Sequence, residues 1–166
     1  LKHVQKDGSI YVPGKGLANY NTSLCMMAML ASRDVKYNPT VIKARGFLLK
    51  QQFDEGVKGK TDHPLDGGVG YGTRYSHSDL NNTLTALEAL YYSRHLVKDA
   101  PEVGKDLNWK AAIEFIQNCQ NLKSHNKQPW VSDDPENKGG FIYFPGKSMA
   151  KNVKGSGSGR TALRSY

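Results

Sequence analysis

The chain lacks any apolar run approaching the roughly 18–20 residues that a membrane-spanning helix needs, so a bilayer-spanning role is excluded. Its longest apolar block, Leu24 to Ala31, is about a helix's worth of core. Cysteine is scarce. Cys25 and Cys119 stand far apart, each inside an apolar helical pattern, so buried free thiols are expected and nothing supports a disulfide between them. Acidic residues are outnumbered, 15 against 23 basic ones, which leaves a net charge of +8. The Lys and Arg residues are nevertheless scattered rather than gathered into a stripe with interleaved aromatics, so no nucleic-acid partner is expected. The chain also lacks an initiating methionine and a secretory leader. It opens LKHVQKDG and ends GSGRTALRSY in mid-pattern, so both ends read as cut edges and the missing leader leaves the compartment open.

Chemistry-bearing motifs are missing as well. The segment GFIYFPGKS approaches a phosphate loop, but such a loop needs glycine five residues before Gly146, and Phe141 stands there. GGVGYG satisfies no dinucleotide fingerprint and reads as turn glycine. Asp133, Asp134 and Glu136 lack the alternating spacing of a calcium loop and read as a solvated acidic turn. Trp109 and Trp130 read as core or loop anchors, and His63 and His125 lie in polar loops. No cofactor and no metal site are expected.

What the chain does have is internal repetition. QKDGSIY (5–11), DGGVGYG (66–72) and KGGFIYF (138–144) each carry a glycine turn into a tyrosine, so Tyr11, Tyr71 and Tyr143 mark a common register. Upstream of each, an amphipathic run closes on glutamine, with Leu1, Leu48 and Ile116 in matching places before Gln5, Gln52 and Gln120. Downstream of the first two, NTSLCMMAML (21–30) and NTLTALEALY (82–91) superpose from a shared Asn-Thr. The unit is two helices and a glycine-rich loop. Helices beginning near Asn21 and Asp79 are apolar on most faces and read as inner helices enclosed by neighbours. The runs 38–52 and 108–120 open on Asn as N-cap, with Pro39 or Trp109 first in the helix, and carry a narrower apolar stripe, so they read as outer helices. Residues 123–160 show no helical period, and GGFIYFPG within them is the place for a short strand pair.

Paired inner and outer helices, outer helices closing on Gln before a Gly-aromatic turn, and an inner helix entered through Asp79-Leu80-Asn81-Asn82-Thr83 together resemble the repeats of the squalene cyclase and protein prenyltransferase superfamily. The resemblance covers nearly the whole chain and implies a partial alpha-alpha toroid, all-α, in one domain over 1–166 with repeat units near 1–53, 54–122 and 123–166. Gln52 and Gly56 match the Gln-x-x-x-Gly part of the cyclase repeat motif, though no tryptophan follows. In hopene-forming cyclases the inner-helix motif is Asp-x-Asp-Asp-Thr, and its middle Asp protonates the substrate. Here Asn81 stands in that place, and an amide cannot serve as general acid toward an alkene. Asp79 then reads first as the N-cap of its helix, accepting from the backbone N–H of Asn81 or Asn82. The Asp-x-Cys element of the prenyltransferase zinc site is missing, and His77 with Asp79 falls short of the three protein ligands a catalytic zinc needs.

The implied function is a repeat protein that is not an active cyclase and presents a concave helical surface to an apolar small molecule or a protein partner. The residues set toward that surface are Asp79, Asn81, Asn82, Thr83, Asn21, Thr22, Tyr71 and His77. The alternative is an active isoprenoid cyclase or transferase whose acid or metal site lies outside these residues. Principal helices are expected near 19–33, 38–53, 79–98 and 107–122, with no extended sheet. The repeat register also predicts that the chain is part of a longer one or associates with copies of itself through open repeat ends, with apolar flanks on Met26, Met29, Leu87 and Leu90 left uncovered.

Overall fold

A computed structural model of the chain describes residues 2–72, 77–98 and 106–150. Leu1 and the lysine-bearing tail from Lys151 onward lie outside the described residues. The described structure is helical, with pairing confined to isolated antiparallel bridges. The helices are α1 (Ala18–Ser32), α2 (Asn38–Leu48), α3 (Leu80–Tyr92) and α4 (Trp109–Asn118), with single 3-10 turns at Val35–Tyr37, Leu49–Gln51 and Arg94–Leu96. All four fall where the apolar periodicity predicts them, with shorter C-terminal ends. Helices α2 and α3 each tighten into a 3-10 turn near the end of the expected helical run.

The chain divides into two compact units, one comprising Leu1–Phe53 with Val69–Asn108 and the other Asp54–Gly68 with Trp109–Tyr166. In the first, α1 packs against both α2 and α3. Its core is Met26, Val41, Ala44, Leu48, Ala86, Ala89 and Leu90, each at most 1 % exposed. Met26 and Leu90 are therefore covered within this unit, against the expectation that they remain open flanks; Met29 and Leu87 are half-buried. The apolar surface that stays open is instead Leu24, Leu84 and Tyr91, at 44 %, 48 % and 57 % exposure. These lie on stripes at helical spacing, Leu24–Ala28–Ala31 on α1 and Asn81–Leu84–Glu88–Tyr91 on α3. Among the described residues these stripes of α1 and α3 stay open, while α1 buries the polar Asn19, Thr22 and Ser23.

Helix starts follow local capping chemistry. Asp79 is extended and accepts from Asn82 N at 2.9 Å, which satisfies one of the orphan donors of α3. Asn38 does not cap α2. The chain enters through the 3-10 turn, whose cap is Asp34, accepting from Lys36 N at 3.1 Å, so the capping role moves upstream and Asn38 is already helical. Helix α1 starts after Leu17 without a side-chain cap, and its Asn19 N–H donates instead to Tyr71 O at 3.2 Å. Residues 2–5 form a turn and a bridge, Val4 to Ile10, rather than the end of an outer helix. So short a segment closes more bonds by folding back onto residues 9–11 than a single helical turn would.

The second unit is built on α4, which buries Ala111, Ala112 and Phe115 and exposes Ile113. Around it a long loop is organised by buried amides. Asn121 Nδ2 donates to Asn137 O at 3.0 Å while its Oδ1 accepts from Ser132 N at 2.8 Å, and Asn126 Nδ2 donates to Asn118 O at 3.0 Å. Such side chains replace the ladders that a loop cannot form. The aromatic run forms no strand pair: Phe144 makes an isolated bridge to Lys147 across a tight turn, and Phe141 bridges instead to Gln120. Cys25 is half-buried and Cys119 buried, both as free thiols, and burial pushes the Cys25 thiol up.

Candidate functional site

The residues singled out by the cyclase-like motif gather where α1 and α3 begin, and most are spent on holding the backbone. Asp79 is fully buried. Its Oδ1 accepts from Asn82 N, and its Oδ2 accepts from Asn82 Nδ2 at 2.7 Å. Thr83 Oγ1 accepts from Val69 N at 2.8 Å and donates to Val69 O at 3.1 Å. Thr22, its partner in the sequence repeat, accepts from Ile10 N at 2.8 Å and donates to Ala18 O at 2.6 Å. Tyr71 joins the same neighbourhood, its ring 6.5 Å from that of Tyr20. Asn81 is exposed on α3, while Asn21 and His77 are half-buried; His77 Nδ1 lies 3.3 Å from Ser78 O. The motif is thus a cap and a set of turn fasteners, and its chemistry is hydrogen bonding.

A concave site lies instead toward the C-terminal ends of the same helices. A half-open groove of about 680 Å³ is lined by Met27, Met29, Leu30, Val35, Val41 and Tyr92, with Arg33, Asp34, Asn38, Glu88 and His95 as its polar members. None of the eight motif residues lines it. Volume and lining are those of small-molecule sites, mostly apolar with a few polar groups for orientation. The unbranched methionines Met27 and Met29 give walls that adapt to an irregular apolar guest. Val35 lies on the 3-10 turn at 76 % exposure and forms one lip. Arg33, in the left-handed conformation at φ 56°, ends α1 and donates its N–H to Leu30 O at 3.1 Å, which turns the chain into the groove wall. On the far side, His95 Nδ1 lies 2.8 Å from Tyr92 O and the Arg94 guanidinium sits 5.5 Å over the Tyr91 ring.

No protein family, curated protein or solved structure matches the chain. No cluster of three or more metal-ligating side chains occurs among the described residues, and no helix there is long and apolar enough to cross a membrane. Apolar periodicity places most groove-lining residues on helices without distinguishing them from core. The signal available was the concentration of Met27, Met29 and Leu30 at one helix end, which composition alone reads as packing.

Proposed function

We propose that this chain is a helical-repeat protein of the squalene cyclase and prenyltransferase kind that binds an apolar, isoprenoid-like molecule without transforming it. The observation that carries the reading is the groove of about 680 Å³, walled by methionine, leucine, valine and tyrosine and edged by charged side chains. A wall of that composition favours a hydrocarbon chain, and the polar edge suits one hydrated end. What supports a non-catalytic reading is Asn81 at the donor position and Asp79, whose two carboxylate oxygens both accept from Asn82.

The test uses the full chain and farnesol as probe. Titration followed by calorimetry shows saturable binding that weakens strongly in Val35→Glu, a change at a largely exposed lip that leaves the core intact. Incubation with squalene gives no cyclised hydrocarbon. Farnesol binding that is absent, or unchanged in Val35→Glu, overturns the site. A cyclised product that disappears in Asp79→Asn overturns the non-catalytic reading.

A further inference from the structure

The chain has four methionines, and they occupy three different environments. Met26 is 0 % exposed in the core of the first unit, and Met149 stands 64 % exposed on the loop of the second. Met27 and Met29 are half-buried, and both line the groove of about 680 Å³. Half of the methionines thus wall one cavity, neither sealed in the core nor wholly bare.

A leucine in either place would fill a similar volume. What methionine adds is a thioether that can react. A peroxide transfers one oxygen atom to that sulfur: the O–O bond breaks, an S–O bond forms, the sulfur loses two electrons, and the remaining peroxide oxygen leaves as water. The product is a sulfoxide, whose oxygen accepts hydrogen bonds strongly. In the unliganded chain that oxygen can stay hydrated, because both residues are half-buried. An apolar guest must strip the water from it and offers no donor in return, so binding is penalised where folding is not.

The other oxidisable groups compete poorly or lie elsewhere. Met26 and Cys119 are buried, and burial of Cys25 pushes its thiol up, which keeps it out of the thiolate form that peroxide attacks. Met149 is open to reaction but is not part of the groove lining.

We propose that Met27 and Met29 form a peroxide-sensitive modification site, and that their conversion to sulfoxides turns the groove from one that takes an apolar guest into one that refuses it. The proposal rests on the groove's taking such a guest and adds how that site is regulated. The switch is reversible in chemistry: a sulfoxide reductase removes the oxygen as water at the expense of two thiols, which become a disulfide.

In the experiment the full chain is treated with hydrogen peroxide, freed of it, mapped by peptide mass spectrometry and titrated with farnesol. Met27, Met29 and Met149 are expected to gain one oxygen each while Met26 gains none, and far-UV circular dichroism is expected to stay unchanged. Farnesol affinity is expected to fall by about tenfold or more, and to return after treatment with the two epimer-specific methionine sulfoxide reductases and a dithiol. Met149→Leu loses affinity on oxidation as the parent does. The double variant Met27→Leu with Met29→Leu, compared with its own untreated affinity, loses none. Farnesol binding that survives full oxidation of Met27 and Met29 overturns the proposal and leaves the groove reading standing. So does a failure of Met27 and Met29 to take up oxygen where Met149 is fully oxidised, or a loss of affinity that reductase treatment does not restore. A loss that accompanies unfolding or oxidation of Met26 also overturns it, since denaturation would then be the cause. Absence of saturable farnesol binding before treatment overturns the groove reading itself, and the regulation with it.

Discussion

Thr83 Oγ1 and the Val69 peptide unit exchange two hydrogen bonds, one accepted from Val69 N at 2.8 Å and one donated to Val69 O at 3.1 Å. A hydroxyl buried in a helix thereby completes a loop backbone that has no ladder of its own. Thr22 does half of this for Ile10 and returns its proton to Ala18 O, inside its own helix. Helices α1 and α3 therefore carry threonine near their starts for a reason of backbone accounting.

Replacing Thr83 by the isosteric Val leaves Val69 N–H buried without an acceptor and is expected to cost about 1–3 kcal/mol. Thr83→Ser keeps the hydroxyl and loses less. Denaturant unfolding of the full chain measures both, and a Thr83→Val cost below that of Thr83→Ser would refute the role given to the hydroxyl.

Gly67→Ala adds a left-handed penalty of about 1–2 kcal/mol and a Cβ driven into the α4 backbone, 2.0 Å from Ala111 O, so its total cost is expected at about 3 kcal/mol or more. Gly139→Ala bears the backbone penalty alone and should stay near about 1–2 kcal/mol. The comparison of the two unfolding midpoints is the measurement, and equal losses would show that the two turns are not differently covered.

Asp7 fixes the first turn by accepting from Ser9 Oγ at 2.6 Å and Ser9 N at 3.0 Å, and these bonds hold its carboxyl below the usual carboxylate range. A depressed folded value means that its contribution is full above the unfolded carboxylate value near about 4 and is lost as pH falls through the folded value. The stability difference between the natural chain and Asp7→Asn should be flat near neutrality and shrink on acidification below about pH 4. A difference that grows on acidification would reverse the sign and exclude this account.

Much of the fold is legible in the sequence, because apolar periodicity and a capping aspartate act locally. The alignment of Asn21-Thr22 with Asn82-Thr83 carries over into structure as matched hydrogen bonds, Thr22 to Ile10 and Thr83 to Val69. Register in the first turn does not, since Tyr11 and Tyr71 look alike in sequence while hydrogen bonding sets the pairing one residue apart. The cap of α2 is misplaced for a similar reason: Asn38 and Asp34 are both good caps, and only the 3-10 turn between them decides. The groove and the burial of Arg45 come from helices distant in sequence meeting in space, which no local pattern records.

Arg45 is the fixed point on the back of α3. It is 3 % exposed, yet it carries a full guanidinium, which donates to Leu90 O, to Ser93 Oγ at 3.0 Å and to Asp106. Burial pushes its pKa down and Asp106 pulls it back up, but an arginine starts so far above neutrality that the charge persists. Asp106 also accepts from Arg94 Nε at 3.0 Å, so one carboxylate ties the buried cation to a surface one. Removing Asp106 leaves the guanidinium buried with carbonyl and hydroxyl acceptors but no countercharge; because Asp106 is itself 37 % exposed and water screens the pair, a loss of about 1–3 kcal/mol is expected. Removing the cation as well relieves that penalty. Arg45→Met fills most of the volume with a flexible apolar chain, so the double change Arg45→Met with Asp106→Asn should be more stable than Asp106→Asn alone. Additive losses in that double-mutant cycle, measured by denaturant unfolding of the full chain, would show that the pair is not coupled and that Arg45 serves only by capping Leu90 O and Ser93.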